Sequence, residues 1–227
     1  MCGRFTQMRS WSELVALYRI SENVPPRNVP ARYNVAPTQE VAAVRLRRAT
    51  SERELVLMRW GLVPFWAKDI KVGYRMINAR AETVARLPAF REAFKRRRCL
   101  IPADGFYEWQ KTGGGRKQPY FITSDGERPV TFAGLCETWK SPQEERIESC
   151  AIIVTEANEL IRPIHDRMPV ILDPEDFDMW LDLERGGEEA QRLLKPYEGE
   201  LTVRPVSTRV NNVRNDDPGL IERAAIG

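Results

Sequence analysis

CLIPADGFYEWQKTGGGRKQPYFITSDGERPVTFAGLCETW, residues 99–139, breaks into short runs rich in β-branched and aromatic residues: CLIPA, GFYEWQK, PYFITS and VTFAGLCETW. The turn-forming segments TGGGRKQ and SDGERP separate them, which is the spacing of an antiparallel meander. A further run, ESCAIIVTEA at 148–157, extends the pattern, and LTVRPVS at 201–207 closes it. Upstream, VAAVRLRR and ELVLMRWGLV read as a strand pair joined by the polar ATSER turn. Between these lie helical segments. SWSELVALYRI has Ser10 and Glu13 at capping-box spacing with Leu14, Leu17 and Tyr18 on one face. AFREAFKRRR after Pro88 puts its basic residues at the C-terminal end, where the helix dipole favours them. DPEDFDMWLDL opens on an Asp cap with Pro in the first turn, and EEAQRLLKPY is a shorter helix. NVPPRNVPARYNVAPT, residues 23–38, is too rich in proline for a regular element and reads as a long ordered loop. The sum is an α+β fold: a single domain over residues 1–227, with a central, mostly antiparallel sheet or open barrel flanked by short helices.

With 227 residues, 42% of them hydrophobic, the chain can bury a substantial core. No stretch approaches the length of a membrane span and no apolar leader follows the first residues, so the expectation is a soluble, cytoplasmic protein. The four cysteines are widely spaced and there is one histidine, which argues against a metal site and against any metal cofactor. Cys99, Cys136 and Cys150 lie in apolar runs and read as buried free thiols, in keeping with a reducing compartment. Charge is uneven: residues 1–120 carry 23 Lys and Arg against 10 Asp and Glu, while residues 121–227 carry 12 against 22. Such a dipole suits a polyanion such as nucleic acid, unless the two halves interleave in the fold and neutralise each other.

Four short segments place ionisable or amide side chains among residues that restrict the backbone: MCGRF, INARAET around Asn78, DGFYEW around Glu108 and IHDRMP around His165. Removal of Met1 would leave Cys2 with an α-amine titrating near about 7.7–8.0 beside a thiol near about 8.5. Each residue also has a structural alternative. Cys2 could be a frayed end, Asn78 a helix cap, Glu108 a residue on a polar strand face, and His165 a satisfied core residue beside Asp166. Together they are the types that an N-terminal aminothiol needs: an acid or base for proton transfer and an amide to orient the amine or hold an oxyanion.

MCGRF, RYNVAP, WGLVPFW, INARAET, CLIPADGFYEW, IHDRMPVIL and VNNVRND occur in an order that resembles the SOS response-associated peptidase (SRAP) family across essentially the whole chain. The resemblance implies the SRAP fold and a compact, bacterial-type sensor of abasic sites in single-stranded DNA, acting as a monomer without cofactor. Met1 would remove itself at the same site. Cys2 would then attack the ring-opened deoxyribose aldehyde and close a thiazolidine crosslink, with a strand-cleaving lyase step as a compatible addition. Asn78 would position the amine or the sugar, Glu108 would shuttle protons, and His165 would assist sugar ring opening. Arg4 and Arg80, with Thr155 and Arg167, are implied DNA contacts, and Pro37 and Trp66 an implied wedge against the bases. Two rivals remain. An N-terminal-cysteine amidohydrolase or glutamine amidotransferase would explain Cys2 but leaves the basic half unused, and a passive single-strand binder would make Cys2 incidental.

Overall fold

The computed structural model describes residues 2–21, 28–47, 49–115, 117–184 and 186–225. Strand β1 (Phe5–Gln7) leads into helix α1 (Trp11–Leu17), where the capping box forms. The Glu13 N–H donates to Ser10 Oγ at 3.3 Å and the Ser10 N–H donates to the Glu13 carboxylate at 2.8 Å. The proline-rich segment differs from its reading as a loop throughout. Its residues 23–27 lie outside the described ones, but Arg32–Val35 forms β2, antiparallel to β1. These four residues contain no proline, so each can donate to a ladder. Strands β3 (Glu40–Leu46) and β4 (Arg53–Trp60) make the expected hairpin, from Glu40↔Arg59 to Leu46↔Arg53. A short β5 (Asn78–Arg80) precedes α2 (Arg91–Arg96).

Helix α2 ends before its expected limit because Arg98 has another task. It is buried and opens β6 (Arg98–Ala103). Its guanidinium donates to the carbonyls of Phe94 at 2.9 Å, of Trp180 at 2.6 Å, and of Asp182. Carbonyls at helix C-termini lack intrahelical partners, and one cation satisfies those of two helices. The expected strands follow as β7 (Gly105–Lys111), β8 (Lys117–Ser124), β9 (Val130–Lys140) and β10 (Arg146–Glu156), then β11 (Arg167–Pro169), but they are not one meander: β7 pairs with β8 in one sheet, while β6 pairs with β9 and β9 with β10 in another. Helix α3 (Phe177–Leu181) is entered through a 3₁₀ turn, Pro174–Asp176, and the Asp173 side chain makes no capping hydrogen bond there. Helix α4 (Gly186–Arg192) and β12 (Leu201–Pro205) complete the elements that frame the site.

The strands form two bodies. One sheet has the order β12-β8-β7-β1-β2. In the other, β4, β3, β6, β9 and β10 pair in succession and β10 returns to β4, closing a five-stranded barrel. The pairing is mostly antiparallel; the β10–β4 and β10–β5 contacts are parallel, and β11 is antiparallel to β10. Alternation sorts the barrel side chains into two cores. Ala42, Val44, Leu55, Leu100, Leu135 and Ile153 pack with Trp11, Leu14, Phe94 and Trp180 of the helices. Val41, Ala43, Met58, Trp60, Ile101, Phe132 and Ile152 pack with Cys2, Phe5, Val35, Phe106 and Ile122 of the first sheet. Phe5 stands edge-on to Trp60 with ring centroids 5.0 Å apart, joining the two bodies just beyond residue 2.

One close backbone approach shapes the surface nearby. Gly61 has φ 127°, and a Cβ there would meet the Gly73 carbonyl oxygen at 2.7 Å, while a Cβ on Gly73 would meet the Gly61 oxygen at 2.6 Å. Only glycine permits this crossing. It fastens the loop after β4, whose Val63 and Ala67 are buried against Trp139. Phe65 and Trp66 between them are left 60% and 52% exposed.

Candidate active site

The site forms where the two bodies meet. Cys2 lies just before β1, the strand held between β7 and β2, and is wholly buried. Burial pushes its thiol well above the usual range, and the Glu108 charge adds to this; a hydrogen bond from the Arg4 backbone N–H opposes it. A thiol in that state needs a base beside it before it can act as a nucleophile.

Glu108 is the ionisable side chain whose charge reaches the Cys2 thiol. On β7, Phe106 and Glu108 share one face and Tyr107 and Trp109 the other. The second face is covered by a cluster of Tyr107 with Val206, Val210 and Leu220, so neither side of the strand faces water and Glu108 is 2% exposed. Burial raises its carboxyl from 4.5 to about 7. A group so placed can both give and take a proton at neutral pH.

Asn78 comes from the barrel side, on β5, in parallel register with Ile152 of β10. Its Nδ2 donates to the Cys2 carbonyl oxygen at 2.9 Å. Its Oδ1 is buried and accepts no hydrogen bond from the described residues, so the amide holds residue 2 with one end and presents an acceptor with the other.

His165 approaches from the turn before β11. Its Nδ1 accepts from the Arg167 backbone N–H at 3.0 Å, which leaves the proton of the neutral ring on Nε2, 3.9 Å from Glu108 Oε2. That is longer than a direct hydrogen bond and short enough for one bridging atom. Asp166 Oδ1 also lies 3.0 Å from Nδ1. Burial lowers the His165 pKa below 6.5, so near pH 7 the ring is neutral, Nδ1 is an acceptor, and neither carboxyl forms an ion pair with it. Residues 2, 78, 108 and 165 are thus brought to one place by four separate elements.

The sequence matches the model of the family described as SOS response associated peptidase (SRAP) over residues 1–213. The chain belongs to the SRAP family. It is 41% identical over 224 residues to the abasic site processing protein YoqW of Bacillus subtilis, covering 98% of this chain and 99% of that one. It is 39% identical over 203 residues to the abasic site processing protein HMCES of Gallus gallus, covering 78% of this chain and 60% of that one. A crystal structure of a protein from Bacteroides thetaiotaomicron superposes with a TM-score of 0.89 at 26% identity, covering 99% of this chain and 100% of that one. One from Bordetella bronchiseptica gives 0.76 at 26% identity, covering 91% of this chain and 100% of the other.

In this SRAP chain the expected DNA contacts fall into different settings. Arg80 is exposed at the end of β5, opposite Val154. Thr155 is buried on β10 opposite Met168, and Arg167 on β11 is ion-paired with Glu82. Trp66 projects into solvent, whereas Trp60 is core, its Nε1 donating to the Ile77 carbonyl at 2.9 Å. Pro37 is half-buried in the turn after β2. Arg4 points inward: its Nη1 donates to Asn34 Oδ1 at 2.7 Å and to the Val210 carbonyl at 2.8 Å, and its guanidinium lies 5.8 Å from the Trp109 ring centroid. Asn34 completes the clamp by donating to the carbonyls of Asn212 and Asn215 at 3.1 and 2.8 Å. The RYNVAP and VNNVRND motifs therefore meet behind Cys2. Asn34 is a site-supporting residue that the sequence does not mark, because its burial and its partners at 210–215 lie far along the chain.

The two charge halves interleave in part. Arg45 pairs with Glu148 at 2.9 Å, Arg53 with Asp178 at 2.6 Å and Arg97 with Glu137 at 2.7 Å, each joining the basic half to the acidic one. Among the described residues no group of His, Cys, Asp or Glu is arranged to hold a metal ion, and no helix is long and apolar enough to cross a membrane.

Proposed function

We propose that this protein captures abasic sites in single-stranded DNA as a covalent thiazolidine on Cys2, after Met1 has been removed at the same site. The observation that carries the proposal is the grip of Asn78 on the Cys2 carbonyl, with the Glu108 carboxyl raised to about 7 beside it. Family membership and the relatives' names supply the substrate class.

The ring-opened sugar presents an aldehyde. The Cys2 amine adds to it, and a protonated Glu108 gives its proton to the carbinolamine hydroxyl, which leaves as water to form the imine. Glu108, now a carboxylate, takes the proton of the Cys2 thiol. The sulfur then bonds to the carbon of the protonated imine, whose nitrogen takes back the C=N electron pair and keeps its proton, closing the five-membered ring. The thiol sits on the carbon next to the one bearing nitrogen, so this second addition is intramolecular and needs no further ordering. The Asn78 Oδ1 would accept from the amine or a sugar hydroxyl, and the Nε2–H of His165 would donate to the sugar oxygen. Arg80 and Arg167 would meet the phosphates, and Trp66 would stack on a base.

The test is denaturing electrophoresis with intact mass after incubation of untagged protein with single-stranded DNA carrying one abasic site, alongside Cys2→Ala. The expected result is a heat-stable adduct on the wild type, lacking Met1, and none on the variant. No adduct from protein that demonstrably starts at Cys2 overturns the mechanism.

A further inference from the structure

Three thiols that the crosslinking reaction does not use sit together in the barrel wall: Cys99 on β6, Cys136 on β9 and Cys150 on β10, all free and buried. Cys136 and Cys150 are direct partners in the β9–β10 ladder. Their hydrogen bonds fix which kind of pair this is. The Cys136 N–H donates to the Arg97 carbonyl at 2.9 Å, and the Cys150 carbonyl accepts from the Gly61 N–H at 2.8 Å. Both backbones therefore point away from each other, which makes this a non-hydrogen-bonded antiparallel pair, with Cα atoms about 4.5 Å apart and side chains on one face. That lies within the separations of about 4.4–6.8 Å that a disulfide spans. Cys99 is opposite Gly134 instead, a diagonal neighbour of Cys136: its thiol reaches the Cys136 sulfur, but their backbones stand roughly 7–8 Å apart, beyond the usual span of a disulfide.

Cys136 also lines a cavity of about 810 Å³ that none of Cys2, Asn78, Glu108 and His165 borders. The cavity wall carries Arg45, Arg97 and Arg146 as well. A hydrogen bond from the Cys99 thiol holds the Cys136 thiol below its ordinary range, with Arg45 and Arg97 favouring the thiolate further, while burial and Glu148 oppose them. Cys150 is held protonated by burial and by the neighbouring Cys136 charge. Of the two, Cys136 borders the cavity and Cys150 does not, so a small oxidant entering there meets the Cys136 sulfur first and Cys150 is placed to resolve it.

We propose that Cys136 and Cys150 form a peroxide-reactive pair that closes a reversible cross-strand disulfide. The Cys136 thiolate attacks the peroxide, its sulfur takes one oxygen, and hydroxide leaves. The Cys150 thiol then loses its proton and attacks the Cys136 sulfenic sulfur, whose oxygen departs as water as the S–S bond forms. Overall, two thiols and one hydrogen peroxide give one disulfide and two waters. The proposal does not depend on the reading of Cys2.

The experiment treats the full-length protein with hydrogen peroxide, alkylates the remaining thiols and maps unreduced peptides by mass spectrometry. The expected result is a Cys136–Cys150 linked pair, lost on reduction with a dithiol, and a sulfenic acid trapped at Cys136 by dimedone in Cys150→Ser. Cys136 that alkylates as fully after peroxide as before overturns the proposal, as does a link joining Cys136 to Cys99 or Cys2. The wild-type map requires no variant to fold.

Discussion

Glu108→Gln should make the protein more stable at alkaline pH and less able to crosslink. The Glu108 carboxyl is raised from 4.5 to about 7 by burial, so between those values the folded protein holds a proton that the unfolded chain has released. Stability contributed by this group is fully present below the unfolded value and is lost as pH rises through the folded one. Integrated from pH 5 to pH 8, two such pKa values give a loss of about 2.5 kcal/mol in the wild type. Glutamine keeps the shape and cannot ionise, so that component of the pH dependence disappears. Urea denaturation of both proteins at each pH isolates it, because other titrating groups contribute equally to each. Crosslinking by the variant should fall on the order of 10²- to 10⁴-fold, the usual contribution of a positioned acid–base group. If the two stability curves run parallel between pH 5 and pH 8, Glu108 is not held neutral by its surroundings, and the proposed proton transfer loses its basis.

Asn78→Ala leaves the Cys2 carbonyl without its donor, at a cost of about 1–3 kcal/mol by thermal denaturation; crosslinking should slow while affinity for undamaged single strands, read by anisotropy, stays near wild type. Trp66→Ala should do the reverse, weakening single-strand affinity by roughly 1–3 kcal/mol. Because Trp66 is 52% exposed, its melting temperature should hardly move, and a large drop would place this residue in the core instead. Arg98→Ala strips a charged donor from the carbonyls of Phe94, Trp180 and Asp182 and should destabilise by several kcal/mol, on the order of 3–5 for an uncompensated buried network. Melting within a degree of wild type would show that those helix ends do not need it. Salt added before DNA should suppress the encounter and, added afterwards, should leave the adduct intact.

The strands from β6 to β10 are legible because runs of aromatic and β-branched residues between Gly-rich turns are a local property of the chain, but their division between two sheets is not. The same holds for the Ser10 capping box, which needs only residues three apart. What proved illegible depended on partners far away in sequence. The end of α2 was misplaced because Arg98 satisfies carbonyls of a helix more than 80 residues later. Strand β2 was hidden among prolines because its ladder partner is β1. That Arg4, an implied DNA contact, donates to Asn34 and to the Val210 carbonyl is likewise set by residues far along the chain.

The sequence by itself determined the strand-rich α+β character, the ordered motifs of the family and the inventory of ionisable groups: a cysteine at position 2, one histidine, and a carboxylate flanked by aromatics. Tertiary structure alone decided that these groups meet and in which protonation states. The Glu108 carboxyl is raised to about 7 because a C-terminal segment covers the far face of its strand, and the His165 pKa is lowered by burial at the same junction. Burial is a property of the packed interface between the sheet and the barrel, and no window of sequence contains both sides of it.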